Sequence, residues 1–130
     1  MCARISRSLL ETLRAHAAET PSVEICGLLF GTGEAITHAR PAANVHPDPA
    51  HHFEVDPAAL IAAHKAARAG GPRLVGHYHS HPTGSAAASR ADAEGTAPGQ
   101  LCLILAGETH RLYRGVPGGL APADLAVTPD

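Results

Sequence analysis

The chain has 130 residues, 45% of them apolar and 17% charged, with a net charge of −2 when histidine is neutral. That length suits one domain able to bury a core without disulfide or metal staples, and the charge balance offers no basic patch for nucleic acid or an anionic membrane. No apolar run approaches the ~18–20 residues of a bilayer-crossing helix, and the amino-terminal MCARISRSLLETLRAHAAE is charged throughout with no signal-peptide core, so the expected location is the cytoplasm.

In chain order, Ile5, Leu9, Leu10, Leu13 and Ala17 fall on one face at helical spacing, which predicts a helix over 5–18. The apolar run VEICGLLF (23–30), bounded by Pro21 and by Gly31 and Gly33, predicts a buried strand, with a hairpin partner at 34–39. Residues 40–55 hold three prolines and read as an irregular connection. Asp56-Pro57 is a good helix start, N-cap then first-turn proline, and that helix runs to Arg68 before Gly70-Gly71. RLVGHYH (73–79) reads as a strand, 82–88 as a loop, and Ser89-x-x-Asp92 as the start of a short helix resembling a capping box. Strands follow at 100–106 and 109–114. The tail from about 116 is rich in Pro and Gly and is expected to be partly irregular or to hold one last strand. The mixed order predicts a single domain over 1–130, with a central sheet and helices packed on it.

Composition leaves two features to explain. Cys2, Cys26 and Cys102 are odd in number, far apart and without a CxxC pair, so they read as separate reduced thiols. Histidine is abundant, with ten residues, and three of them sit in GHYHSHP (76–82). His79 and His81 lie two apart at a strand end, so their rings share one face and can converge on one ion. Pro82 turns the chain away, and Asp92 lies close enough in sequence to return as a third ligand. Two His and one carboxylate form a common zinc set with a position left open for water. H-x-H alone is weak, because many sheets carry two surface histidines on one face.

His79-Ser80-His81-Pro82, followed by Ser89 and Asp92, resembles the defining motif of the JAMM (MPN-type) metalloprotease family: His-x-His, then ten residues, then Asp, with Ser three before it. Pro21-x-x-Glu24-x-Cys26-Gly27-Leu28-Leu29-x-Gly31 is similar to the early strand of its bacterial members. The likeness extends more loosely to Asn44 and to Phe53-x-x-Asp56-Pro57. The resemblance implies an α/β fold, a curved mixed β-sheet flanked by helices in the MPN, cytidine-deaminase-like arrangement. It implies one Zn²⁺ per chain held by His79, His81 and Asp92, with water in the fourth position acidified towards ~7. Glu24 is then the general base and later acid, and Ser89 the hydrogen-bond donor to the oxyanion. The implied reaction cuts the bond after the C-terminal glycine of a ubiquitin-like or sulfur-carrier protein ending in Gly-Gly.

Each residue also has a plainer reading: Glu24 as a strand-end carboxylate facing solvent, Ser89 as an N-cap only, Asp92 as an acid in a first helical turn. Cys26 shares a face with Glu24 and reads as a small buried apolar residue. His77 is a candidate support for the site, His51 and His52 are expected to be exposed, and Tyr78 and Ser80 point away from the ligands as packing residues. A partner-binding MPN scaffold without activity is the alternative, and such scaffolds usually lack a ligand that this chain has. A zinc nucleotide deaminase needs H-x-E with P-C-x-x-C, and neither is present. A protein that only stores or senses zinc has no use for Glu24 and Ser89.

Overall fold

The structure, a computed structural model, describes residues 2–130. The elements run β1 (Cys2–Ser6), α1 (Arg7–Glu19), β2 (Cys26–Thr32), β3 (Ala35–Ala42), α2 (Pro57–Arg68), β4 (Arg73–Ser80), α3 (Arg90–Glu94), β5 (Leu101–Ala106), β6 (Thr109–Val116) and β7 (Gly119–Thr128). The strands lie in the order β1-β3-β2-β4-β5-β6-β7. Pairing is parallel for β1/β3 and β4/β5 and antiparallel for β2/β3, β2/β4, β5/β6 and β6/β7. A parallel β1/β7 ladder then closes the strongly curved sheet on itself. This is the mixed, helix-flanked α/β sheet expected from the sequence, with closure as an added feature. Among the described residues no helix is long and apolar enough to cross a membrane.

One expectation gives way and an open one is decided. The first helix begins at Arg7, because Ala3 and Ile5 alternate inward on a short strand. Ile5 lies in register with the apolar stripe of α1, so a two-residue strand period hid inside a helical one. Ser6 ends the strand and caps the helix, its Oγ accepting from the Leu9 amide at 3.1 Å. Of the two alternatives for the tail, the structure takes the last strand: β7 has ladder partners on both edges, β6 and β1, and these offset its Pro and Gly content. By contrast Asp56 caps α2 as predicted, accepting from the Ala58 amide at 3.0 Å, with Pro57 in the first turn.

The sheet buries a different set on each face. Leu10 and Leu13 of α1 pack on Leu29, Tyr78, Leu103 and Leu105. On the opposite face α2 places Ala63 against Leu28 and Phe30. Burying one such Leu contributes about 1.5–3 kcal/mol. Gly27 lies under the Tyr78 ring, and any Cβ there would collide with it. This strand alternation sends Tyr78 into the α1 core and His77 and His79 to the α2 face, paired with Leu28 and Cys26.

Candidate metal centre

β4 ends in the middle of the sheet, bonded to β2 on one side and β5 on the other. His79 is its penultimate residue, and the His81 amide extends the ladder by donating to the Leu105 carbonyl at 2.8 Å. The strand period brings both Nε2 atoms to one point, 3.2 Å apart. Asp92 arrives from the far side on α3. Its Oδ1 lies 3.0 Å from His79 Nε2 and its Oδ2 lies 3.1 Å from His81 Nε2.

A capping box aims that carboxylate. The Ser89 amide donates to Asp92 Oδ2 at 2.8 Å, while Ser89 Oγ accepts from the Asp92 amide at 3.1 Å. Asp thus serves where Glu or Gln is usual, and the same carboxylate is left facing two imidazoles. Thr96 Oγ1 fastens the next turn by donating to the Asp92 carbonyl at 2.8 Å. His81 Nδ1 donates to the Ser85 carbonyl at 2.9 Å, which leaves its Nε2 a lone pair aimed at the centre. Burial works against the Asp92 anion, but the bonds to His79 and His81 outweigh it and hold the carboxyl well below the usual range. Burial lowers the His79 pKa against the pull of Asp92, whereas at His81 the Asp92 and Ser85 bonds overcome burial and raise it.

Two ring nitrogens and a carboxylate at mutual distances of 3.0–3.2 Å repel one another unless a proton or a cation lies between them. Ligands held tetrahedrally at ~2.0–2.1 Å stand about 3.3 Å apart. The spacing and the N, N, O donor set therefore fit a zinc-type divalent cation.

Glu24 precedes β2, buried at 6% exposure. Its carboxylate lies within 4.8 Å of the His79 and His81 donor atoms, a gap that one water spans. Burial foremost, with Asp92 adding to it and His81 opposing, raises its pKa above the ordinary 4.5. Glu24, Ser89 and Asp92 all line a cavity of about 670 Å³ between α2 and the 95–98 segment, with apolar walls that include Leu28, Phe53, Leu60 and Leu74.

The other singled-out residues fall into place around this centre. Cys26 is fully buried, its thiol facing the Ala42 and Ala43 carbonyls at 3.7 Å, and burial pushes its pKa up to about 11. All three cysteines are free. His77 stacks parallel to His79, and burial pushes its pKa down to about 3, so the ring is neutral. His51 and His52 are exposed at the cavity mouth. Tyr78 is core, as expected, but Ser80 does more than pack: its Oγ accepts from the Ile25 amide at 2.9 Å and ties the Glu24 segment to the ligand strand. Sequence reasoning missed that bond, the Ser85 carbonyl behind His81, and the Phe53 ring stacked on His79 at 4.2 Å.

Residues 6–115 match the family model described as prokaryotic homologs of the JAB domain. The chain belongs to that family. It is a JAMM-type metalloprotease by descent, and its fold is the MPN arrangement. Among relatives it is similar to a desampylase of Haloferax volcanii, 37% identical over 100 residues, covering 75% of this chain and 72% of that protein. It is also similar to a protein of Thermus thermophilus described as a probable TtuB-protein conjugate cleaving protease, 41% identical over 88 residues. That match covers 68% of this chain but only 59% of the relative. Among solved structures it resembles protein DSY2949 of Desulfitobacterium hafniense, TM-score 0.83 at 25% identity, over 100% of this chain and 94% of the other. A structure described as JAMM, a metalloprotease-like zinc site in the proteasome and signalosome, superposes with TM-score 0.58 over 97% of this chain and 99% of that one; at 18% identity this likeness is one of fold.

Proposed function

We propose that this JAMM-family chain is a zinc-dependent peptidase or isopeptidase that cleaves after the C-terminal glycine of a small ubiquitin-like or sulfur-carrier protein. The observation that carries the reading is a buried carboxylate, Glu24, one water away from a convergent His79–His81–Asp92 donor set at the end of a cavity. The substrate class is supported by the relatives, described as a desampylase and a probable TtuB-protein conjugate cleaving protease.

His79, His81 and Asp92 would hold one zinc ion, which when bound would supply acidity to water and polarise the scissile carbonyl. Glu24, kept from full solvation, takes the proton from the attacking water. As the C–N bond breaks, Glu24 hands that proton to the leaving amine, so a carboxylic acid and an amine are the products. Ser89 Oγ already accepts from the Asp92 amide, which leaves its own hydrogen free to donate to the carbonyl oxygen as negative charge develops there. The apolar walls of the cavity hold the tail that precedes the glycine and keep bulk water from the centre.

An intact-mass assay tests this. The zinc-loaded protein is mixed with a ubiquitin-like carrier extended past its terminal Gly-Gly, in parallel with Glu24→Gln. A single cut after the last glycine, absent in the variant, supports the reading. An uncut carrier in the presence of one zinc per chain rejects this substrate class.

A further inference from the structure

Glu24 has no place in a β-ladder, since β2 begins at Cys26. Its backbone is nevertheless bonded on both sides, and both partners come from the segment between β3 and α2. The Glu24 amide donates to the Pro49 carbonyl at 2.7 Å. The Glu24 carbonyl accepts from Asn44 Nδ2 at 2.8 Å. Asn44 also organises that segment: its second amide proton goes to the His52 carbonyl at 3.0 Å, and its Oδ1 accepts from the His46 and Glu54 amides at 3.1 and 3.0 Å. The side chain thus uses two donors and two acceptors, its full capacity. A bridge between Asn44 and Val55 closes the neck of the loop, and Phe53 at its base stacks on His79.

We propose that Asn44 is a positioning residue for the proton carrier. It locks the 44–55 loop into the shape that grips the Glu24 backbone, and so fixes how far the Glu24 carboxylate reaches towards the metal centre. This rests on Glu24 being the proton carrier. A carboxylate misplaced by ~1 Å in such a site costs on the order of 10²-fold in rate. Asn44→Asp separates the functions of the side chain. It keeps both acceptors for His46 and Glu54 but loses both donors, and it sets an anion against the Glu24 carbonyl. Asn44→Ala removes all four bonds.

The test combines steady-state kinetics, zinc stoichiometry and amide exchange by NMR on the full chain. In Asn44→Asp, zinc stays at one per chain, kcat falls by about 10–100-fold and KM moves by less than about twofold. Exchange at the Glu24 amide accelerates more than about tenfold while the Leu28 to Phe30 amides keep their protection. Adding Glu24→Gln to Asn44→Asp brings no further loss beyond Glu24→Gln alone, because both act on one step. Asn44→Ala behaves like Asn44→Asp. Wild-type kinetics and exchange in Asn44→Asp overturn the proposal, as does a rise in KM with kcat unchanged. Loss of zinc or of the fold in both variants also overturns it, by making Asn44 merely structural. If the wild-type protein cuts no carrier, the functional reading fails, and the Glu24 exchange rates still decide whether Asn44 holds that backbone.

Discussion

His79 rides on a central strand bonded along both edges and His81 follows directly on its end, whereas Glu24 sits ahead of its strand and is held by a loop. One half of the site inherits its geometry from the ladder. Moving a ligand there means breaking several backbone bonds at once. The other half depends on a few hydrogen bonds spread over 44–55, and these can change one at a time. Under the proposed function the two halves also do different things, since the strand and α3 would hold the ion and the loop side would handle the proton. Metal retention and turnover should therefore come apart when the halves are perturbed separately.

The largest effect falls on the ladder side. His79→Ala removes a ligand and leaves Asp92 facing one imidazole, so zinc binding weakens by well over the ~10–100-fold that a supporting partner is worth; atomic absorption after dialysis reads this. Glu24→Gln should do the opposite. It keeps one zinc per chain and lowers kcat by about 10²–10⁴-fold, the usual worth of a general base. A variant that loses zinc instead would place Glu24 among the ligands. Ser89→Ala comes next, with about 10²-fold in kcat for the lost donor. It also costs about 1 kcal/mol of α3 capping, visible as a lower Tm. Smallest in rate is Ser80→Ala. It leaves the buried Ile25 amide without its partner, costs about 1–3 kcal/mol, and should lower Tm far more than kcat.

The pH profile sharpens the same contrast. Burial raises the Glu24 pKa, and only its ionised form accepts a proton. Activity therefore rises with pH through the Glu24 pKa, and the position of the acid limb of kcat/KM reports how far burial, which raises that pKa, outweighs a bound cation, which lowers it. The residual rate of Glu24→Gln should lack that limb. An identical limb in the variant would assign the titration to another group.

The same division explains what the sequence revealed. H-x-H at a strand end is legible because a two-residue period puts both rings on one face, and Ser89-x-x-Asp92 is legible because a capping box has fixed spacing. Glu24 emerged from the family resemblance rather than from periodicity, as befits a residue just outside its strand. Asn44 reaches the Glu24 carbonyl 20 residues away and Ser80 the Ile25 amide 55 residues away, and no local pattern records such a bond. β1 was hidden because Ile5 falls on the stripe of α1. β7 was legible only as one of two alternatives, because its Pro and Gly content argues against a strand and one of its two ladder partners, β1, is distant in sequence.

The closing β1/β7 ladder has a mechanical consequence. The two strands run parallel and are registered over five pairs, Cys2 with Asp124 through Ser6 with Thr128. A force applied before Cys2 and after Thr128 pulls them past each other along their length. All the bonds of that ladder then carry load together in shear, rather than failing one by one as in an unzipping hairpin. An unfoldase or a force probe gripping both ends would meet its main resistance there, and the His79–His81–Asp92 cluster beside β4, on the far side of the closed sheet, would be among the last parts to feel the strain.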